Sequence, residues 1–366
     1  MINELEDNLK QVLGWHKLRV QCLVQIVLGL IAVRTVNLKE LACFFSGTAE
    51  LDSTYRRLQR FFAEVKFPKH VIAQFVAGLF YLPEQGFFLS IDRTNWCWGK
   101  ANINILVLSA CYRGSAIPLY WTALDKKGNS DTRERITLID HFIMGFGKER
   151  ILGLLGDREF IGEDWFSYLI KKEIPFDIRV KKNHVTTNSR GLEVDIDGLF
   201  YHLTPGAFEV LQGKRKLMGR RVYLSGLRLE DGELLILASS EKPDGALDRY
   251  AKRWEIETLF SCLKGRGFCF ESTRITELER IEKMVSVLAI AFAWAHKVGD
   301  WKDAEVKPLK VKKHGRLAMS YFRYGLDWIR QTLVGIKPKH AQLQKCLSIL
   351  MDSWPKIESK VVFGNL

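Results

Sequence analysis

Three acidic residues stand where hydrophobic runs would otherwise continue or where a helix pattern singles them out. Asp92 interrupts the apolar stretch FFLSIDRTNW, Asp157 directly follows ILGLLG, and Glu257 lies in the later segment YAKRWEIETLF. A carboxylate among apolar neighbours is costly to bury unless a cation or hydrogen-bond donors meet it. Several carboxylates converging on one point supply the hard oxygen donors that hold two Mg²⁺ ions roughly 4 Å apart beside a phosphodiester. Taken singly, Asp92 reads equally as a strand-end turn residue, Asp157 as a cap and Glu257 as a surface charge. Together, one acid in a first strand, one after a fourth strand and one on a later helix form an arrangement that few folds require.

The elements needed to position these acids are readable from periodicity. Residues 1–80 lack strand-like alternation, and Leu13, Leu18, Leu23, Val27 and Leu30 recur at helical intervals, which predicts helices. Within this region VNLKELACFF and STYRRLQRFF, separated by SGTAELD, read as two short helices with Ser53 as N-cap of the second. Arg56, Arg57 and Arg60 fall on the surface of that second helix, with Leu58, Phe61 and Phe62 left for packing. A DNA-reading helix-turn-helix has this build, and so does a plain helical bundle.

From residue 86 three β-rich runs follow one another, then a helix over TRERITLIDHFIMGFG, a strand ending in Gly-Asp, a helix over GEDWFSYLIKK and a strand over FDIRVKK. The expected fold class is α/β, a mixed-sheet core over 81–183 and 241–300. A β-rich insertion at 184–240 and helical regions at 1–80 and 301–366 complete the expected organisation. The segment from Asp244 to the glycines 265 and 267 reads as one long helix capped by Asp244.

Composition narrows the partners. The 55 Lys and Arg against 42 Asp and Glu leave a formal charge of +13, so a polyanion is the natural partner. Arg179, Lys181 and Lys182 end a strand and can track phosphates, as can the late run Lys307, Lys310, Lys312, Lys313 and Arg316; a solvated loop accounts for the late run equally well. Seven cysteines without a CxxC pair indicate neither a disulfide frame nor a zinc site. The longest apolar runs, Cys22–Val33 and Val285–Ala295, are too short to span a bilayer, and the acidic start MINELEDNLK does not resemble a secretory signal. A cytoplasmic protein without a membrane partner is expected.

The segment after the insertion reads Tyr250, Arg253, Glu257 and Lys264, matching Y-x2-R-x3-E-x6-K. In this it resembles DDE transposases of the insertion-sequence-4 type, and the spacings of 65 residues from Asp92 to Asp157 and 100 from Asp157 to Glu257 are similar to that family's as well. The resemblance implies an RNase H-like core, with Asp92, Asp157 and Glu257 as catalytic metal ligands for two Mg²⁺ ions, Mn²⁺ substituting. Tyr250, Arg253 and Lys264 would touch the transposon-end backbone, and one continuous helix would carry all four signature residues on one face. Implied partners are double-stranded DNA, at transposon ends and target, and a second copy of the chain in the DNA complex. The implied reaction is cut-and-paste transposition at terminal inverted repeats. A catalytically silent DNA-binding regulator and an RNase H-like nuclease without strand transfer remain alternatives. Related enzymes hold a flipped base on an aromatic residue, in some a Trp of the insertion; residues 184–240 contain no Trp, leaving Tyr201, Phe208 or Tyr223 as substitutes.

Overall fold

The computed structural model describes residues 2–45, 49–313, 315–335 and 340–352. Two compact units divide the chain. One comprises residues 1–82, 265–273 and 286–366, and the other residues 83–264 and 274–285.

The first unit is helical. Its N-terminal part holds α1 (Ile2–Leu13), α2 (Lys17–Val33), α3 (Leu38–Phe44), α4 (Leu51–Glu64) and α5 (Lys69–Leu79). Helix α2 is apolar nearly all round and is correspondingly buried from Val20 to Ala32 apart from two positions, as expected of a central core helix. Helix α4 buries Leu58, Phe61 and Phe62 and leaves Arg56, Arg57 and Arg60 exposed. Its N-cap is Glu50 rather than Ser53, which lies inside the first turn. The chain enters the helix extended at Glu50, and no side-chain cap is formed there. Of the expected break between α3 and α4, residues 46–48 lie outside the described residues.

The second unit is built on a nine-stranded mixed sheet. Strands β1 (Phe87–Trp98), β2 (Ala101–Ala110) and β3 (Ile117–Ala123) form an antiparallel meander. Helix α6 (Thr132–Phe146) follows, started by a reciprocal capping box between Asp131 and Glu134. Then come β4 (Ile151–Gly156), α7 (Glu163–Lys171) and β5 (Phe176–Val180), with β4 parallel to β1 and β5 parallel to β4. The order β3-β2-β1-β4-β5, with these directions, is that of an RNase H-like core.

Residues 184–240 contribute β6 (Val185–Thr187), β7 (Glu193–Asp195), α8 (Ile196–Leu199), β8 (Phe208–Val210), β9 (Arg215–Leu217), β10 (Arg220–Arg228) and β11 (Leu234–Ser239). Of these only β6 and β7 make a separate sheet. Strand β11 pairs antiparallel with β5, placing Ile236 opposite Val180, and β10 pairs with β11, so the stretch read as an insertion continues the main sheet. β11 is buried along its whole length, and a buried strand needs a hydrogen-bonding partner on both sides.

The expected long helix is two. Helix α9 (Ala246–Ala251) and α10 (Trp254–Leu263) are separated by a tight turn at Lys252 and Arg253, and the N-cap position of α9 is Gly245, without a side-chain cap bond. The carbonyl of Asp244 accepts from the Arg249 guanidinium instead.

Helix α11 (Leu278–Glu305) starts in the second unit, where the Trp121 indole donates to the Glu282 carbonyl at 3.0 Å. Its later turns belong to the first unit with α12 (Tyr321–Val334) and α13 (His340–Asp352). There α11 and α12 cross with backbones in contact: a Cβ at Gly325 would collide with the Ala295 carbonyl, and one at Gly299 with the Tyr321 carbonyl. Neither obstacle is a side chain that can swing away. G325A is therefore expected to destabilise the protein by about 2 kcal/mol or more, read as a lower urea midpoint than wild type.

Candidate active site between two parallel strands

The sheet register delivers the first two acids. Strand β1 pairs in parallel with β4 through Ile91 opposite Gly156, and Asp92 and Asp157 are the next residues along each strand. Two carboxylates at adjoining positions of neighbouring strands repel each other. Asp92 is largely buried, and burial, reinforced by Asp157, pushes its carboxyl up to about 7; the Arg93 amide and the Arg253 guanidinium oppose the shift. Its Oδ1 accepts from the Arg93 N–H at 2.7 Å. The Asp157 carboxylate accepts from the Glu159 N–H at 2.9 Å, which fixes the turn leaving β4.

Glu257 comes from α10 and reaches Asp92 through Arg253. One guanidinium nitrogen of Arg253 lies 2.7 Å from Glu257 Oε1 and another 3.4 Å from Asp92 Oδ2. Arg253 is 5% exposed, while Glu257 is partly open to solvent. The tight turn before α10 is what aims Arg253 this way, and Glu255 anchors that turn. Its carboxylate accepts from the backbone N–H groups of Tyr112 and Gly114, and its carbonyl accepts from the Ala116 N–H at 2.9 Å. These bonds tie the start of α10 to the loop between β2 and β3. Burial raises the Glu255 carboxyl, and the two N–H donors hold it back.

The other signature residues take different settings. Tyr250 is buried, packed with Leu235, Leu237 and Ala246. Lys264 closes α10 with its Nζ 5.5 Å from the centre of the Trp96 ring, two residues beyond Thr94 and four beyond Asp92 on the same face of β1. Lys252 and Arg253 keep helical dihedrals between α9 and α10, and Arg253 meets both Tyr250, at 5.7 Å from its ring centre, and Glu257, at 2.7 Å.

A basic cleft of about 730 Å³ is lined by Arg158, the residue after Asp157, together with Arg179, Lys181, Lys182, Arg228 and Tyr201. All three cationic residues read from the end of β5 therefore face one cavity. Glu233 pairs with Arg179 there. Tyr201 is 79% exposed, Phe208 is partly exposed, and Tyr223 lies under Lys214. In the helical unit, Arg57 stacks on Phe45 and donates to Gln25 at 3.4 Å. Lys307, Lys310, Lys312, Lys313 and Arg316 are exposed.

One acid near the site escaped the sequence reading. Glu159 takes both nitrogens of a bidentate pair from Arg93, at 2.6 and 2.7 Å, and Arg93 also donates to Asn104 and Asn129. The signal was present in β1. Strand alternation sends Arg93 to the face opposite Asp92, where a cation inside an apolar strand demands an acid.

The donor chemistry fits a hard divalent cation at Asp92 and Asp157, since both are carboxylates and their mutual repulsion is the kind a cation relieves. Among the described residues, however, no three His, Cys, Asp or Glu side chains gather closely enough to hold a metal; Arg253 stands between Asp92 and Glu257.

The family described as transposase DDE domain matches residues 83–294, more than half of the chain. No curated protein matches the sequence. Among solved structures the chain is similar to the piggyBac transposase in its synaptic complex with hairpin DNA, at 11% identity and a TM-score of 0.45, over 93% of this chain and 78% of that one.

The shifted Asp92 carboxyl has a consequence for stability. With its folded value near 7 and its ordinary value 3.8, the folded protein keeps a proton that the unfolded chain has released between those limits. The stability Asp92 contributes is thus full below about pH 4 and lost as pH rises through 7. In metal-free buffer D92N should melt above wild type at pH 8, with the difference closing towards pH 4 in a series of thermal melts.

Proposed function

We infer, from the fact that the chain belongs to the transposase DDE domain family, that it moves an insertion sequence of the insertion-sequence-4 type by cut-and-paste transposition. The observation that carries the reading is the placement of Asp92 and Asp157 at adjoining positions of two parallel strands, with Glu257 one guanidinium away.

Asp92, Asp157 and Glu257 would hold two Mg²⁺ ions, for which Mn²⁺ can substitute; when bound, these sharpen a water or 3′-hydroxyl as nucleophile and neutralise the leaving oxygen. The protein's own groups do the rest. Arg158, Arg179, Lys181 and Lys182 present cationic nitrogens to one cleft, suited to phosphates of double-stranded DNA that pass the acids. Lys264 lies over Trp96, on the face of β1 that carries Asp92, and adds a further cation there. Exposed Arg56, Arg57 and Arg60 on α4 suit contact with the terminal inverted repeats. The active complex would be a homodimer on DNA, working in the bacterial cytoplasm.

A second reading is a silent DNA-binding regulator, favoured by the Arg253 bridge that keeps Glu257 from the two aspartates. The test is cleavage and joining of terminal-repeat DNA with Mg²⁺ or Mn²⁺. Wild type should give both cut ends and joined products, and D92A, D157A and E257Q should each lose activity about a thousandfold or more while still shifting the DNA. Cleavage that survives in these variants would end the assignment of the acids. Binding without cleavage in any metal would establish the silent regulator, and cleavage without joined products the plain nuclease.

A further inference from the structure

Arg253 is a cation already seated among the acids. Two other arginines of this unit engage one carboxylate with both arms of the fork: Arg93 on Glu159, and Arg249 on Asp177 at 2.6 and 3.1 Å. That geometry suits a permanent ion pair. Arg253 departs from it. It gives one nitrogen to Glu257 at 2.7 Å and another to Asp92 at 3.4 Å, acids from different elements, and its buried Nε has no hydrogen-bond partner. Its guanidinium carbon lies 4.6 Å from the Trp254 ring centre and 5.7 Å from that of Tyr250, so aromatic faces support the charge without fixing it to one acid.

We propose that Arg253 is an internal counter-ion of Asp92 and Glu257 that competes with a divalent cation for them, and that it must release at least one of its two carboxylates before Asp92, Asp157 and Glu257 can close on metal. This rests on the assignment of the three acids as metal ligands. Metal and Arg253 then compete. The guanidinium stabilises the metal-free site by offsetting acids that would otherwise repel, and it opposes metal by occupying Asp92 and Glu257 and by like charge.

The experiment uses the full-length chain: Mn²⁺ titration read as loss of the free-ion electron paramagnetic resonance signal, with thermal melts in EDTA and in saturating Mn²⁺. Wild type, R253Q, R253K and D92N are compared. R253Q should bind Mn²⁺ about tenfold more tightly than wild type, melt lower in EDTA and gain more from Mn²⁺. R253K, whose compact ammonium lacks the fork that spans two acids, should fall between them. Equal or weaker Mn²⁺ binding by R253Q, while D92N still loses it, overturns the proposal and makes Arg253 a supporting group for the ligands. Equal binding by wild type and D92N overturns the metal reading itself, and the proposal with it. Should R253Q fail to fold, R253K carries the same criterion: affinity unchanged or weaker overturns the competition.

Discussion

Everything at this site depends on the parallel pairing of β1 with β4. A mixed sheet in the order β3-β2-β1-β4-β5 puts the middle of β1 beside the end of β4, so one register brings Asp92 next to Asp157. The same register carries a cost. Asp92 is mostly buried at a central position of the sheet, and that burial, reinforced by the neighbouring Asp157 charge, pushes its carboxyl up.

The rest of the second unit manages that cost. Glu255 fastens α10 to the β2–β3 loop through backbone donors, which fixes the turn at Arg253 and lets its guanidinium reach both Asp92 and Glu257. Arg93, pointing to the other face of β1, is neutralised by Glu159 and donates hydrogen bonds to Asn104 and Asn129, so it adds rigidity behind the site. Two cations adjoin Asp92, and only the one on the acids' side is shared between carboxylates.

Much of this was legible in the amino-acid sequence, and the parts that were not share a cause. The meander, the strand before Asp157 and the helices between strands follow from local periodicity, and both aspartates were visible as breaks in apolar runs. The joining of β11 to β5 was hidden because strand partners far apart in sequence leave no local mark. The break between α9 and α10 was hidden for a related reason. Its helix-forming residues run on without Gly or Pro, and the turn is held by Glu255 bonding to Tyr112 and Gly114, some 140 residues away. Within the Y-x2-R-x3-E-x6-K spacing, Arg253 pairs with Glu257 one helical turn on, while Tyr250 packs into a cluster with Leu235, Leu237 and Ala246. Ser53 shows the limit at smaller scale, since the α4 start three residues earlier is set by the path of the chain rather than by the best capping residue.

The central claim is that Asp92 and Asp157 occupy one electrostatic site, and a double-mutant cycle tests it most directly. Urea unfolding at pH 8 in EDTA would be measured for wild type, D92N, D157N and the double variant. If the two carboxylates repel across the β1–β4 register, either single substitution stabilises the protein, and the double variant gains less than the sum by about 1 kcal/mol. Additive effects, with no coupling between the two positions, would contradict the account.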